Sequence, residues 1–219
     1  MLKKIASLLI IASGFLFSAK ADTIVASSAS NTTNNSGSPT LNISPNAGWA
    51  TAVPGSNWVS FTESGDMSGS GYVSPANGTD YIFSQTFTLD GTATGGTLYV
   101  LADDTASVSL NGNLIYSAAI GPGVTDPDCA SQPIGCVMNT EGIINLGSYL
   151  GDFNNSGPNT LSFQVYQEAG SSYGLDYYVD ITTSTPTNTP ESGTLLMLTF
   201  GLVGLFVAYR RNIAGDFTS

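Results

Sequence analysis

The chain contains no histidine and has five basic residues: Lys3, Lys4, Lys20, Arg210 and Arg211. All five lie in its two ends, so the stretch from Asp22 to Thr189 holds no cation at all. That stretch does hold fourteen acids, from Asp22 to Asp180, and so carries about −14 at neutral pH. Each absence removes a class of function. Nucleic-acid binding needs cations to neutralise phosphates. Ser-His-Asp and Cys-His nucleophiles and Schiff-base lysines each lack an essential member. A zinc site built on histidine is excluded as well. Carboxylate chemistry, or calcium held by oxygen ligands, remains open.

Cysteine is scarce too. Cys129 and Cys136, with six residues between them in "DPDCASQPIGCVM", suit one local disulfide closing a small loop in an exported protein. A redox motif would read C-x-x-C, and a metal site would need further ligands.

What is present at the N-terminus explains why export is expected. Two lysines in Met1 to Lys4 precede the apolar run "IASLLIIASGFLF", and small residues Ala19 and Ala21 follow where a cleavage site needs them. Residues 1–21 therefore read as a secretory signal peptide for signal peptidase, with Asp22 as the mature N-terminus. The apolar run is too short to span a bilayer as an ordinary anchor.

The body, 22–181, is rich in Gly, Ser, Thr and Asn, and its short alternating runs between turn signals predict an all-β sandwich. In "TASVSLNGNLIYSA", Ala106, Val108 and Leu110 point one way and Thr105, Ser107 and Ser109 the other. Asn111-Gly112 supplies the two positive-φ positions of a type I′ turn, so Leu114 to Tyr116 should return antiparallel. Further strands are predicted over Tyr81–Leu89, Gly96–Ala102, Asn159–Glu168 and Leu175–Thr183. In the last, Leu175, Tyr177, Val179 and Ile181 share one face, and Asp176, Tyr178 and Asp180 the other. Gly121 to Thr140 reads as a long loop pinned by the cysteines, and no internal repeat is present. Residues 182–189 read as a Thr/Pro linker, extended and without packing of its own.

Beyond the linker, Thr194 to Tyr209 is sixteen uncharged residues, about 24 Å as a helix. Tyr209 and the two arginines can extend it into the membrane interface, and the arginines should stay cytoplasmic, leaving the body outside the inner membrane. Residues 212–219 would then be a cytoplasmic tail. A plain single-span anchor would have the same hydropathy. The order of parts, however, resembles the PEP-CTERM sorting signal of Gram-negative bacteria that make exopolysaccharide. Pro190, Glu191 and Ser192 occupy the motif, Ser192 standing where the family has its second proline, and Arg210 and Arg211 form the basic cluster. The resemblance implies that residues 190–211 are read by exosortase, a membrane transpeptidase, which hands the body to the cell surface or releases it. An extracellular matrix role beside exopolysaccharide follows from the same resemblance.

The body also resembles a jelly-roll sandwich of the galactose-binding-like type. The matching residues are Trp49 and Trp58, Asp103-Asp104, Val108, Leu110, Asn111 and Gly112, then Asn159, Leu161, Phe163, Val165 and Gly174-Leu175. That resemblance implies fold more than ligand, because such sandwiches serve many ligands. Sugar stacking would fall to Trp58, Tyr72 and Tyr178, with Tyr81 and Tyr173 also available, unless these rings pack in the core or on the sheet. A structural calcium would use Asp103 and Asp104 or the loop pair Asp126 and Asp128, although no EF-hand spacing is present. A glycosidase would have to pair carboxylates among Glu63, Glu141 and Glu168, around which no motif is recognisable. The sequence therefore points to a non-enzymatic exported protein with carbohydrate as a ligand. The alternatives are a purely structural surface component and a carboxylate glycosidase.

Overall fold

The computed structural model describes residues 21–29, 32–78, 80–118, 129, 133–168, 170–184 and 199–203. The described residues form ten strands: β1 Ala21–Ser27, β2 Leu41–Asn42, β3 Val59–Ser60, β4 Asp80–Thr88, β5 Thr92–Asp103, β6 Thr105–Leu110, β7 Asn113–Tyr116, β8 Gly142–Asn145, β9 Pro158–Tyr166 and β10 Gly174–Ser184. They form two sheets in which every pair is antiparallel. The first runs β2-β3-β10-β5-β8, with β1 also on β10; the second runs β4-β9-β6-β7. This is the two-layer all-β sandwich that the alternating runs predict.

The alternation locates the core. Leu175, Tyr177, Val179 and Ile181 of β10 are fully buried, as are Leu98, Val100 and Ala102 of β5. They meet Ala106, Val108 and Leu110 of β6, Leu161, Phe163 and Val165 of β9, and Phe83 of β4 in one cluster. Phe163 and Tyr177 stack across the interior with ring centroids 4.3 Å apart. The Tyr177 hydroxyl still needs partners in that apolar setting. It finds them in Gln85 Oε1 and the Thr32 hydroxyl, each at 2.7 Å.

The β6–β7 hairpin turns where expected. Asn111 and Gly112 adopt φ of 52° and 84°, and Leu110 pairs with Asn113. Asn111 also holds the next strand, since its side chain accepts the Thr160 N–H and donates to Asn159, both at 2.8 Å.

The end of β10 differs from the sequence reading. β10 continues to Ser184, so Thr182, Thr183 and Ser184 are strand rather than linker. The reason is the partner: β1 pairs with this end in the register Ala21↔Ser184 to Ser27↔Tyr178, a neighbour that local pattern does not reveal. Residues 21–185 form one compact unit.

The terminal segments, 1–20 and 186–219, form a second unit. Of it, residues 199–203 are described; they are helical, with Phe200, Leu202 and Val203 exposed. Among the described residues no helix is long and apolar enough to cross a membrane. The signal segment with Ala19, the sorting residues Pro190, Glu191, Ser192, Arg210 and Arg211, and most of the helix expected over 194–209 lie outside the described residues.

Candidate functional site

The outer face of the first sheet carries the site, and two long loops shape it. The segment from Ile43 to Trp58 crosses that face at the β5 end and packs Ile43 and Trp58 on Leu101, with Cys136 completing a second small core. Trp49 and Trp58 lie with ring centroids 4.3 Å apart. Their indole nitrogens are both satisfied at 3.0 Å: Trp58 donates to the Ala50 carbonyl and Trp49 to Asp103 Oδ2. The loop bearing the cysteines docks beside this segment. Its Cys136 carbonyl accepts the Ala50 N–H at 2.7 Å, and its Gly135 carbonyl accepts the Ala102 N–H at 3.0 Å. The Cys129–Cys136 disulfide expected from the sequence is formed, with Cα atoms 4.9 Å apart.

Between the two loops the sheet face stays open. Ala50 to Pro54 make one wall of a cleft of about 720 Å³, and Met138, Asn139 and Glu141 make the other. Tyr99, Leu101, Tyr178 and Asp180 make its floor. That volume is in the range of small-molecule sites. Tyr178 of β10 is directly paired with Tyr99 of β5, and Tyr99 with the exposed Ile143 of β8. Directly opposed residues share a face, so these three side chains form an apolar row across the sheet. The hydroxyls of Tyr173 and Tyr177 are bonded inside the sandwich, and those of Tyr116 and Tyr149 donate to the Pro133 and Ile115 carbonyls nearer the surface. Those of Tyr99 and Tyr178 bond to none of the described residues, so two half-buried rings line the cleft with their hydroxyls unspent.

One buried acid anchors the first wall. Asp176 lies on the same face of β10 as Tyr178 but is fully buried beneath the Val53–Ser56 turn. It accepts the Val53 N–H at 2.8 Å and the Ser28 hydroxyl at 3.0 Å. Burial pushes its carboxyl above the ordinary 3.8, against the opposing pull of hydrogen bonds from Ser56, Val53, Ser28 and Tyr177. Asp180, by contrast, reaches the cleft, and its Oδ1 accepts the Thr97 N–H at 3.0 Å.

The structure distributes the sequence candidates unevenly. Tyr178 lines the cleft. Trp58 is 2% exposed and walled in by the second core, so its ring faces are taken by protein; this corrects its reading as a stacking platform. Tyr72 is half-buried and lies outside the cleft lining. Tyr81 and Tyr173 pack together and on Phe61.

The acidic pair is also tied into structure. Asp103 is buried and holds the Trp49 N–H, and its Oδ1 lies 3.1 Å from Cys129 Sγ. Asp104 accepts the Glu168 N–H at 2.6 Å. Asp103, Cys129 and Cys136 place ligand-type atoms within 4.8 Å of one another, but the disulfide occupies both sulfurs. Both residues border a separate hollow of about 320 Å³ with Asn46, Trp49 and Ser172. Asp126 and Asp128 lie outside the described residues.

Tyr99 and Asp180 are cleft residues that sequence reasoning did not assign to ligand, and Glu141 entered it as one of the carboxylates a glycosidase would pair. A signal for Tyr99 existed: Leu98, Val100 and Ala102 fill the core parity of β5, which turns Tyr99 outward.

No protein-family model matches the chain, and no curated protein matches it. Among solved structures it is distantly similar to a family 35 carbohydrate-binding module from Clostridium thermocellum. The identity is 15%, over 73% of this chain and 91% of that one, with a TM-score of 0.30.

Proposed function

We propose that this protein is an exported, non-catalytic glycan-binding sandwich of the jelly-roll kind, and that its glycan lies in the cleft floored by Tyr99 and Tyr178. One observation carries the reading: two cross-strand tyrosines sit side by side at the bottom of an open cleft with unspent hydroxyls. Sugar rings present flat C–H faces edged by hydroxyls, which such a surface matches by ring contact and hydrogen bonding together. Asn139, Glu141 and Asp180 supply the polar groups that fix orientation.

The export part of the reading rests on the apolar segments at the two ends of the sequence, with processing by signal peptidase and exosortase and delivery to the cell surface or matrix. The mass of the protein recovered outside the cells tests it, since two terminal losses are expected and an intact C-terminus would leave a plain anchor.

Binding is tested with a glycan array and the variants Tyr99→Ala and Tyr178→Ala. Each should weaken binding by about tenfold or more while the protein stays folded. Unchanged binding in both variants would overturn the cleft as the site. Hydrolysis of the bound glycan, abolished by Glu141→Gln, would instead make the cleft the active site of a carboxylate glycosidase.

A further inference from the structure

We propose that the glycan taken by this cleft is cationic: an amino-sugar polymer with free, protonated amines. The inference rests on the reading of the Tyr99–Tyr178 cleft as a glycan site and names the class of glycan. Two carboxylates stand beside the tyrosines. Glu141 closes one wall and Asp180 lies on the floor. Glu141 is half-buried and has no hydrogen-bond or ion-pair partner among the described residues. Asp180 spends one oxygen on the Thr97 N–H and lies one pleat from Tyr178 on the same face.

A ligand settling on this floor strips water from both acids. A neutral sugar returns only hydroxyl donors to them. An ammonium group returns a charge-assisted hydrogen bond, roughly twice as strong as a neutral one. It can also lie over a tyrosine face, where the ring quadrupole attracts a cation. The opposite class is disfavoured across the whole body that carries the cleft. From Ala21 to Tyr209 there is no Lys, Arg or His to pair with a uronate or sulfate, and the same stretch repels polyanions through its summed negative charge. The Met138 side chain, 74% exposed at the cleft wall, adds apolar surface for the C–H faces of the sugar.

The full-length chain is titrated in mildly acidic, low-salt buffer with a glucosamine hexamer, its fully N-acetylated counterpart and an oligogalacturonate. The expected result is that the free-amine oligomer binds about tenfold tighter than the acetylated one, with no binding of the uronate. The Glu141→Gln/Asp180→Asn variant should bring the first two together, and Tyr178→Ala should lose both. Asp90 is an exposed acid outside the cleft, so Asp90→Asn should leave the preference in place.

Equal affinity for the two hexamers, still abolished by Tyr178→Ala, would overturn the cationic class and leave the glycan cleft standing. A preference weakened as much by Asp90→Asn as by the cleft variants would mean diffuse attraction to an acidic protein, and would overturn it too. If Tyr178→Ala changes nothing for any probe while the protein remains folded, the cleft reading fails and this proposal falls with it.

Discussion

Asp176 Oδ2 accepts the backbone N–H of Val53 at 2.8 Å, joining residues 123 positions apart and fastening a wall of the cleft to β10. No cation offsets this buried acid, because the body contains none. Its neutralisation must come from hydrogen bonds and from its own proton.

Asp176→Ala removes both acceptor oxygens and leaves the Val53 N–H and the Ser28 hydroxyl, which also has the Asn57 carbonyl, beneath the turn. A loss of about 2 kcal/mol is expected, read from the urea midpoint at constant m-value. The glycan affinity of the cleft should fall as well, because the Ala50–Pro54 wall loses its tie.

The same group sets a pH dependence of defined sign. Burial raises the native carboxyl above 3.8, so the folded state holds this proton more tightly than the unfolded chain. Its contribution to stability is complete below 3.8 and is lost as the pH climbs through the raised value. The wild-type stability profile minus that of Asp176→Asn should therefore decline above 3.8. A difference that rises with pH would show a carboxyl ionised more readily in the fold than outside it.

Gly96 has φ of 149°, and a Cβ there would run into the Asp180 carbonyl oxygen and the Ile181 Cα of the paired strand. Gly96→Ala should cost about 2 kcal/mol or more, since neither backbone can yield without breaking the β5–β10 ladder. Thermal unfolding measures it. The variant also displaces the Thr97 N–H that holds Asp180, so cleft affinity should drop further than in an equally destabilised variant elsewhere.

The disulfide closes a loop with a sequence separation of 7. Replacing both cysteines by alanine should lower stability by about 2 to 3 kcal/mol on the chain-entropy account. Because Cys136 belongs to the second core and Met138 to Glu141 follow it into the cleft wall, binding should weaken in parallel. Full binding in the double variant would show that the wall holds itself.

Asp103 and Asp104 already receive N–H donors from Trp49 and Glu168. Chelation is therefore expected to leave the melting temperature unchanged, whereas Trp49→Phe, which deprives Asp103 of a donor, should cost about 1 to 3 kcal/mol. A melting temperature that falls on chelation would assign a structural calcium.

How much of this was legible depended on the range of the interaction. The β6–β7 hairpin could be read from Asn111-Gly112 because positive φ is a local demand. The faces of β10 could be read because strand side chains alternate, and the core residues Leu175, Tyr177, Val179 and Ile181 follow that period. The disulfide could be read because two cysteines in a short loop leave one pairing. Alternation went no further than naming a face. It placed Asp176, Tyr178 and Asp180 together, yet one is buried under a turn, one lines the cleft floor as a ring, and one is held there by the neighbouring strand. Trp58 misled for a related reason: a tryptophan carries the same sequence signal whether its faces meet solvent or Leu101.

The amino-acid sequence by itself determined the all-anionic body, the exclusion of cation-dependent chemistry, the alternating strands and the tight turn. These follow from composition and from interactions between residues a few positions apart. Tertiary structure alone decided which outward-facing residues are covered and which meet a ligand. The pairing of Tyr178 with Tyr99 and the roofing of Leu101 join segments remote in the chain, and burial is a property of what packs above a residue, not of the residue or its neighbours in sequence.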